Sequence, residues 1–139
     1  MSTLVLKYTY RIREDEHHGR CLEFTHFPGI YIPVGENVRN ALPYLNEAIA
    51  RPPYEPPVVD KSLPYLVPNL RLQYKFAIRY RLEELGITPN RMADILGVDE
   101  KEARRLVDFK HSSTIPALET ALASIDGNAG LVFTFEEKA

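Results

Sequence analysis

The apolar residues of this chain change period partway along it. Near the start they recur at every second position, as Leu4, Leu6, Tyr8, Tyr10 and Ile12, with Lys7, Thr9, Arg11 and Arg13 on the alternate positions. A period of two marks a strand with one face on a core. From Leu70 the period is helical: Tyr74, Ile78, Leu82 and Leu85 follow at i, i+4, i+8 and i+11, which makes one stripe along a helix of 3.6 residues per turn. Between the two regimes stands RPPYEPP, Arg51 to Pro57, with four prolines in seven residues. Proline lacks an N–H and fixes φ, so this stretch favours an extended spacer. An α+β chain in two parts is expected: a sheet-and-helix unit over residues 1–68 and an all-α unit over residues 69–139. Units of this size bury little core alone and gain from a partner or a second copy.

Within the first unit, EDEHHG (Glu14 to Gly19) reads as a polar hairpin connection ending in glycine. RCLEFT then supplies a second strand with Leu22 and Phe24 facing inward. Pro28-Gly29 signals a turn, and Ile30, Ile32 and Val34 suggest a third strand near an edge, because Pro33 interrupts it. Val38, Leu42, Leu45 and Ile49 have helical spacing, and Asn37 suits a cap. Pro43 lies inside that span, so the helix either kinks there or begins its regular part there. A short strand over Leu63 to Val67 is expected to follow the prolines.

The second unit carries its own punctuation. Gly86 closes the first helix at a position that favours a left-handed residue. Thr88 caps the next, with Pro89 at its first position, and Met92, Ala93 and Leu96 face inward. Gly97 closes that helix, Asp99 caps the following one, and Ala103, Leu106 and Val107 form its buried face. Thr114 and Pro116 repeat the cap-then-proline start for a last helix with Leu118, Leu122 and Ile125. Two short helices, a glycine-led turn of three to four residues and small residues at the expected approach of the helices form the helix-turn-helix pattern. LVFTF, Leu131 to Phe135, reads as a closing strand. Four helices offer it no partner, so pairing with a second copy through Leu131, Val132, Phe133, Thr134 and Phe135 is expected.

Net charge is −2, so any nucleic-acid face must be local rather than spread over the chain. On the second helix of the motif Glu100, Lys101, Arg104 and Arg105 face outward. Thr88, Asn90 and Arg91 stand at the start of the first, and Lys110, His111 and Ser112 follow the second. These ten residues are the candidate DNA contacts, with arginine suited to guanine or phosphate and lysine to phosphate. Asp99, Glu100 and Glu102 set carboxylates at the end that should meet the bases, where they oppose phosphate. The same residues also suit a helix N-terminus for its own sake.

The order of these pieces resembles the HicB-type antitoxins, partners of small HicA toxins in bacterial type II toxin–antitoxin modules. The matching stretches are YTYRIRED with HHGRCLEFTHFPG, then VGENVRNALPYLNEAIA, then ITPNRMADILGV, and finally HSSTIPALETALASIDGNAGLVFTF. The resemblance implies a partial ribonuclease-H-like N-terminal domain that binds the toxin and blocks its RNA-cleaving site. It also implies a C-terminal domain of the Cro/repressor type that represses the operon. On that resemblance, toxin contacts are expected at Glu14, Asp15, Glu16, His17 and Tyr31. The expected partners are a HicA-like toxin, operator DNA and a homodimer or higher homo-oligomer. The alternative is a free-standing regulator whose first domain senses a ligand or oligomerises.

Catalysis is not expected, nor a cofactor. His17, His18 and His26 lack the spacing of a metal site, since adjacent histidines on a strand point apart. Glu14, Asp15 and Glu16 are consecutive in a turn, whereas a magnesium-dependent nuclease gathers acids from several strands. Cys21 and His26 are five residues apart and so fall on opposite faces of a strand. A single cysteine cannot form an internal disulfide, which suits a reducing, cytoplasmic setting. The charged start, MSTLVLKYTYRIRED, does not read as a signal peptide, and no apolar run has the ~18 residues of a membrane span.

Overall fold

The computed structural model describes residues 3–133 and 135. Its fold is mixed α+β. Strand β1 (Tyr8–Asp15) and strand β2 (Gly19–Phe24) form an antiparallel hairpin in which Tyr10 faces Phe24, Ile12 faces Leu22 and Asp15 faces Gly19. Gly19 has φ +70°, a conformation that an L side chain would strain. Strand β3 (Ile32–Pro33) adds beside β2, and strand β4 (Tyr65–Leu66) beside β1, giving the order β3-β2-β1-β4. Both outer strands are shorter than their sequence spans suggest. Pro33 cannot donate to a ladder, and β4 pairs with Tyr8 and Thr9, with one further bond from the Tyr10 N–H to the Pro64 carbonyl at 3.0 Å. Among the described residues no strand flanks Ile12 on the β4 side, and Ile12 is exposed rather than buried.

The chain then makes a 3₁₀ turn over Val38–Ala41, capped by Asn37, whose side chain accepts from the Arg39 N–H at 3.0 Å. Helix α1 (Leu42–Ala48) starts there with Pro43 in its first turn. The awkward proline is thus placed where its missing N–H has no partner to lose. The first core gathers Tyr8, Tyr10, Leu22 and Phe24 from the hairpin, Leu45 and Ile49 from α1 and its end, and Leu66 from β4.

Helix α2 (Leu70–Leu85) ends at Gly86, φ +66°. Helix α3 (Pro89–Leu96), helix α4 (Glu100–Val107) and helix α5 (Ile115–Ile125) follow. Each begins as its sequence predicts: Thr88, Asp99 and Thr114 accept from the N–H groups of Arg91, Glu102 and Ala117. Tyr74, Ile78 and Leu82 of α2 pack with Met92, Leu106, Val107, Leu118, Ala121 and Leu122 in a second core. Leu85, expected to continue that stripe, is exposed in the last turn of α2. The opposite side of α2 sends Leu72 and Phe76 into the first core, so one helix serves both. Tyr54, from the proline-rich segment, stands edge-on to Phe76 and lies parallel to Phe109 at 5.9 Å.

Among the described residues no closing strand is formed. Leu131, Val132, Phe133 and Phe135 lie outside any strand, and Thr134 falls outside the described residues. A strand needs a neighbour with free backbone groups, and the edge strands of this chain's sheet, β3 and β4, are only two residues long and belong to the N-terminal unit.

Candidate nucleic-acid interface

The α3–α4 pair is built by its turn. Gly97 takes φ +69°; its N–H reaches the Asp94 carbonyl at 3.3 Å, and the Val98 N–H reaches the Ala93 carbonyl at 3.1 Å. That pairing closes the C-terminus of α3 and lets Asp99 cap α4 two residues later. Ala93 and Ala103 are buried, as are Leu106 and Val107. The other side of α4 is left to solvent, with Glu100, Lys101, Arg104 and Arg105 exposed.

Two of those cations already have partners on their own helix. Arg104 lies 3.3 Å from Glu100 at i, i+4, and Arg105 lies 3.5 Å from Glu102 at i, i+3. Exposed pairs of this kind are weak and screened by salt, so an incoming phosphate or guanine can replace the carboxylates. Thr88, Asn90 and Arg91 are exposed at the start of α3. The Thr88 hydroxyl oxygen is occupied by the Arg91 N–H at 3.2 Å. Lys110, His111 and Ser112 are exposed in the loop between α4 and α5. The Lys110 N–H donates to Asp108 Oδ1 at 2.9 Å.

Sequence reasoning missed what holds that loop. Lys75 is fully buried in α2. Its Nζ donates to the carbonyl oxygens of Arg105 at 3.0 Å, Asp108 at 2.5 Å and His111 at 2.8 Å, and to Ser113 Oγ at 3.0 Å. One turn earlier, Arg71 Nε donates to the Ser113 carbonyl at 2.8 Å, and one turn later Arg79 Nε donates to the Val107 carbonyl at 3.4 Å. Helix α2 thus presents cations at four-residue spacing along the α4–α5 connection: Lys75 and Arg79 to the C-terminal end of α4, where the backbone offers unpaired carbonyls and a partial negative charge, and Arg71 to the carbonyl just before the cap of α5. Burial lowers the Lys75 pKa; nearby Asp108 opposes this and Arg71 adds to it. The signal was present as Arg71, Lys75 and Arg79 at i, i+4, i+8, but a cation stripe on a helix usually means a solvated face.

The residues expected at a toxin interface divide into two places. Glu14, Glu16 and His17 are exposed at the tip of the β1–β2 hairpin. Asp15 is turned inward to the hairpin's own backbone: its Oδ1 accepts the His17 N–H at 2.7 Å and its Oδ2 lies 3.3 Å from His18 Nδ1. These contacts hold its carboxyl below the usual carboxylate range. Tyr31 lies away from the tip, half-exposed, with the Arg13 guanidinium 5.6 Å from its ring centre. Arg13 also pairs with Glu23 at 3.3 Å. Cys21 is buried, and burial pushes its thiol up, aided by the charges of Asp15 and Glu14.

Among the residues expected to dimerise, Val132, Phe133 and Phe135 are largely exposed and Leu131 partly so. Leu131 and Phe133 line a groove of about 480 Å³ with Leu70, Tyr74, Ile115 and Leu122. A second cleft, of about 280 Å³, is lined by Tyr8, His26, Phe27, Tyr44 and Phe76, with Arg51 and Glu55 also on its wall. Among the described residues no helix is long and apolar enough to cross a membrane. Comparison with known protein families finds no match for the chain, and comparison with curated proteins finds no relative.

Proposed function

We propose that this chain is a DNA-binding regulator of the antitoxin kind, in which α4 reads operator DNA and the N-terminal sheet unit holds and blocks a HicA-like toxin. The observation that carries the DNA half is α4 with its glycine turn: Ala103, Leu106 and Val107 anchor one side while Lys101, Arg104 and Arg105 stand exposed on the other. The major groove admits a helix, and arginine pairs in bidentate fashion with guanine O6 and N7. Lys110 and its neighbours suit phosphate, which positions the helix without reading sequence. Asp99, Glu100 and Glu102 weaken attraction to DNA in general, so binding depends on the arginines exchanging carboxylates for DNA.

The toxin half rests on the resemblance of the sheet unit to HicB-type antitoxins and on the exposure of the hairpin tip. The cytoplasm is the setting that this role requires. A titration of the full chain against its own upstream DNA and a scrambled duplex tests the first half. Sequence-independent binding, or none, rejects it. Co-expression with the product of a small adjacent reading frame tests the second; a folded chain that neither binds nor neutralises that product rejects it.

A second reading has its own support. The cleft lined by Tyr8, Phe27, Tyr44 and Phe76 is near the lower size of small-ligand pockets, which suits a regulator that senses a small apolar molecule. Ligand-dependent release of operator DNA would favour it over the antitoxin reading.

A further inference from the structure

We infer that Lys75 is a positioning residue for DNA contact by the α4–α5 loop, an inference that rests on the DNA-binding reading above. An ammonium has three protons, and here it faces four acceptors: one carbonyl in the last turn of α4, one at its C-cap, one in the loop and the hydroxyl that precedes α5. One buried nitrogen therefore ties the end of the reading helix, the loop and the start of the next helix to α2. Filling space does not require this. An apolar side chain of the same length would pack there but leave the carbonyls of Arg105, Asp108 and His111 without this donor, so the lysine serves the course of the loop backbone.

The carbonyls that Lys75 and Arg71 engage turn toward α2, while Lys110, His111 and Ser112 of the same loop are exposed. The loop is gripped from behind by its backbone, and its outward side chains stay available. A loop ordered in advance loses less conformational freedom on binding. Lys75 thereby sets where Lys110 meets a phosphate, although its own charge is fully buried.

Salt dependence of operator binding separates this role from general support of the fold. Each phosphate contact contributes about 0.9 to the slope of log K against log salt. Lys110→Ala is expected to lower the slope by about one unit. Lys75→Met, confirmed folded by circular dichroism, is expected to lower it by about the same amount, because the loop no longer presents Lys110. The double variant is expected to lose no more than either single one. A parental slope in Lys75→Met, or a loss of about two units in the double variant, overturns the inference and leaves the DNA reading intact. Failure of the parent protein to bind operator DNA overturns both. Should Lys75→Met not fold, Arg71→Met replaces it in the same cycle, since Arg71 is exposed yet grips the loop at Ser113; losses that add to those of Lys110→Ala then overturn the inference.

Discussion

The Arg104 guanidinium lies 3.3 Å from the Glu100 carboxylate one turn before it on α4. If α4 reads DNA as proposed, DNA must break this pair to use the arginine. Arg104→Ala or Arg105→Ala is expected to weaken operator binding by about 1–3 kcal/mol per lost base contact. Glu100→Gln removes the competitor and is expected to tighten binding. Fluorescence anisotropy with operator duplex measures both. If the arginine variants bind like the parent, α4 is not the reader.

Lys110 has a different signature from the arginines. Its side chain is exposed in the loop after α4, and on the proposed reading it meets phosphate, a contact that carries no sequence information. Lys110→Ala is expected to weaken operator and scrambled duplexes by the same factor. Loss confined to the operator would instead make Lys110 a base contact.

The helical unit was legible in the sequence because its signals are local. Thr88, Asp99 and Thr114 each cap a helix within three residues of themselves, and Gly86 and Gly97 each end one. Pro43 was legible as a constraint, and the first turn of α1 is where its missing N–H does least harm. The longer-range facts were not legible. Tyr74, Lys75 and Phe76 are consecutive, yet they go to the second core, the α4–α5 loop and the first core respectively. Only the surroundings of α2 decide that, and no period in the sequence encodes three surroundings. Among the candidate contacts, Asp15 looked like its neighbours Glu14 and Glu16, but the turn after β1 directs its carboxylate to His17 and His18.

His26 is expected to make folding sensitive to mild acid. Its ring is edge-on to Phe27 at 4.9 Å and to Tyr8 at 5.7 Å between centroids. Burial lowers its pKa below the ordinary 6.5, with Glu55 pulling the other way. Between the folded value and 6.5 the unfolded chain binds more protons than the folded one. Stability from this group is therefore complete above 6.5 and declines as pH falls through that window. The urea midpoint of the parent is expected to drop between about pH 7 and pH 5, and His26→Gln to show a flatter profile there. Identical profiles would reject the assignment.

Phe76 binds the two halves energetically. It is buried in the first core although it belongs to α2. Phe76→Ala is expected to cost about 3–5 kcal/mol, measured by urea denaturation. For the same reason a fragment ending before α2 leaves the sheet core uncovered at Leu72 and Phe76. Residues 1–68 are expected to be far less stable than the full chain, with circular dichroism and proteolysis as the measurements. A fully stable 1–68 fragment would mean that α2 is dispensable to the sheet.

The exposed tail predicts self-association. Val132, Phe133 and Phe135 are 79%, 75% and 90% exposed, which is costly for an apolar run in water. The groove that Leu131 and Phe133 line with Leu70, Tyr74, Ile115 and Leu122 offers apolar cover to the tail of a second copy. Two tails can then pair as strands, supplying a backbone partner not seen among the described residues of one chain. A two-fold dimer would also set two α4 helices against a two-fold operator. The full chain is expected to have a dimer's mass in light scattering and a melting temperature that rises with concentration. Removal of residues 131–139 is expected to give a folded monomer, and Phe133→Asp combined with Phe135→Asp to act in the same direction. An unchanged mass in both variants would place any dimer contact elsewhere, and a monomeric parent would remove the symmetry argument for α4 altogether.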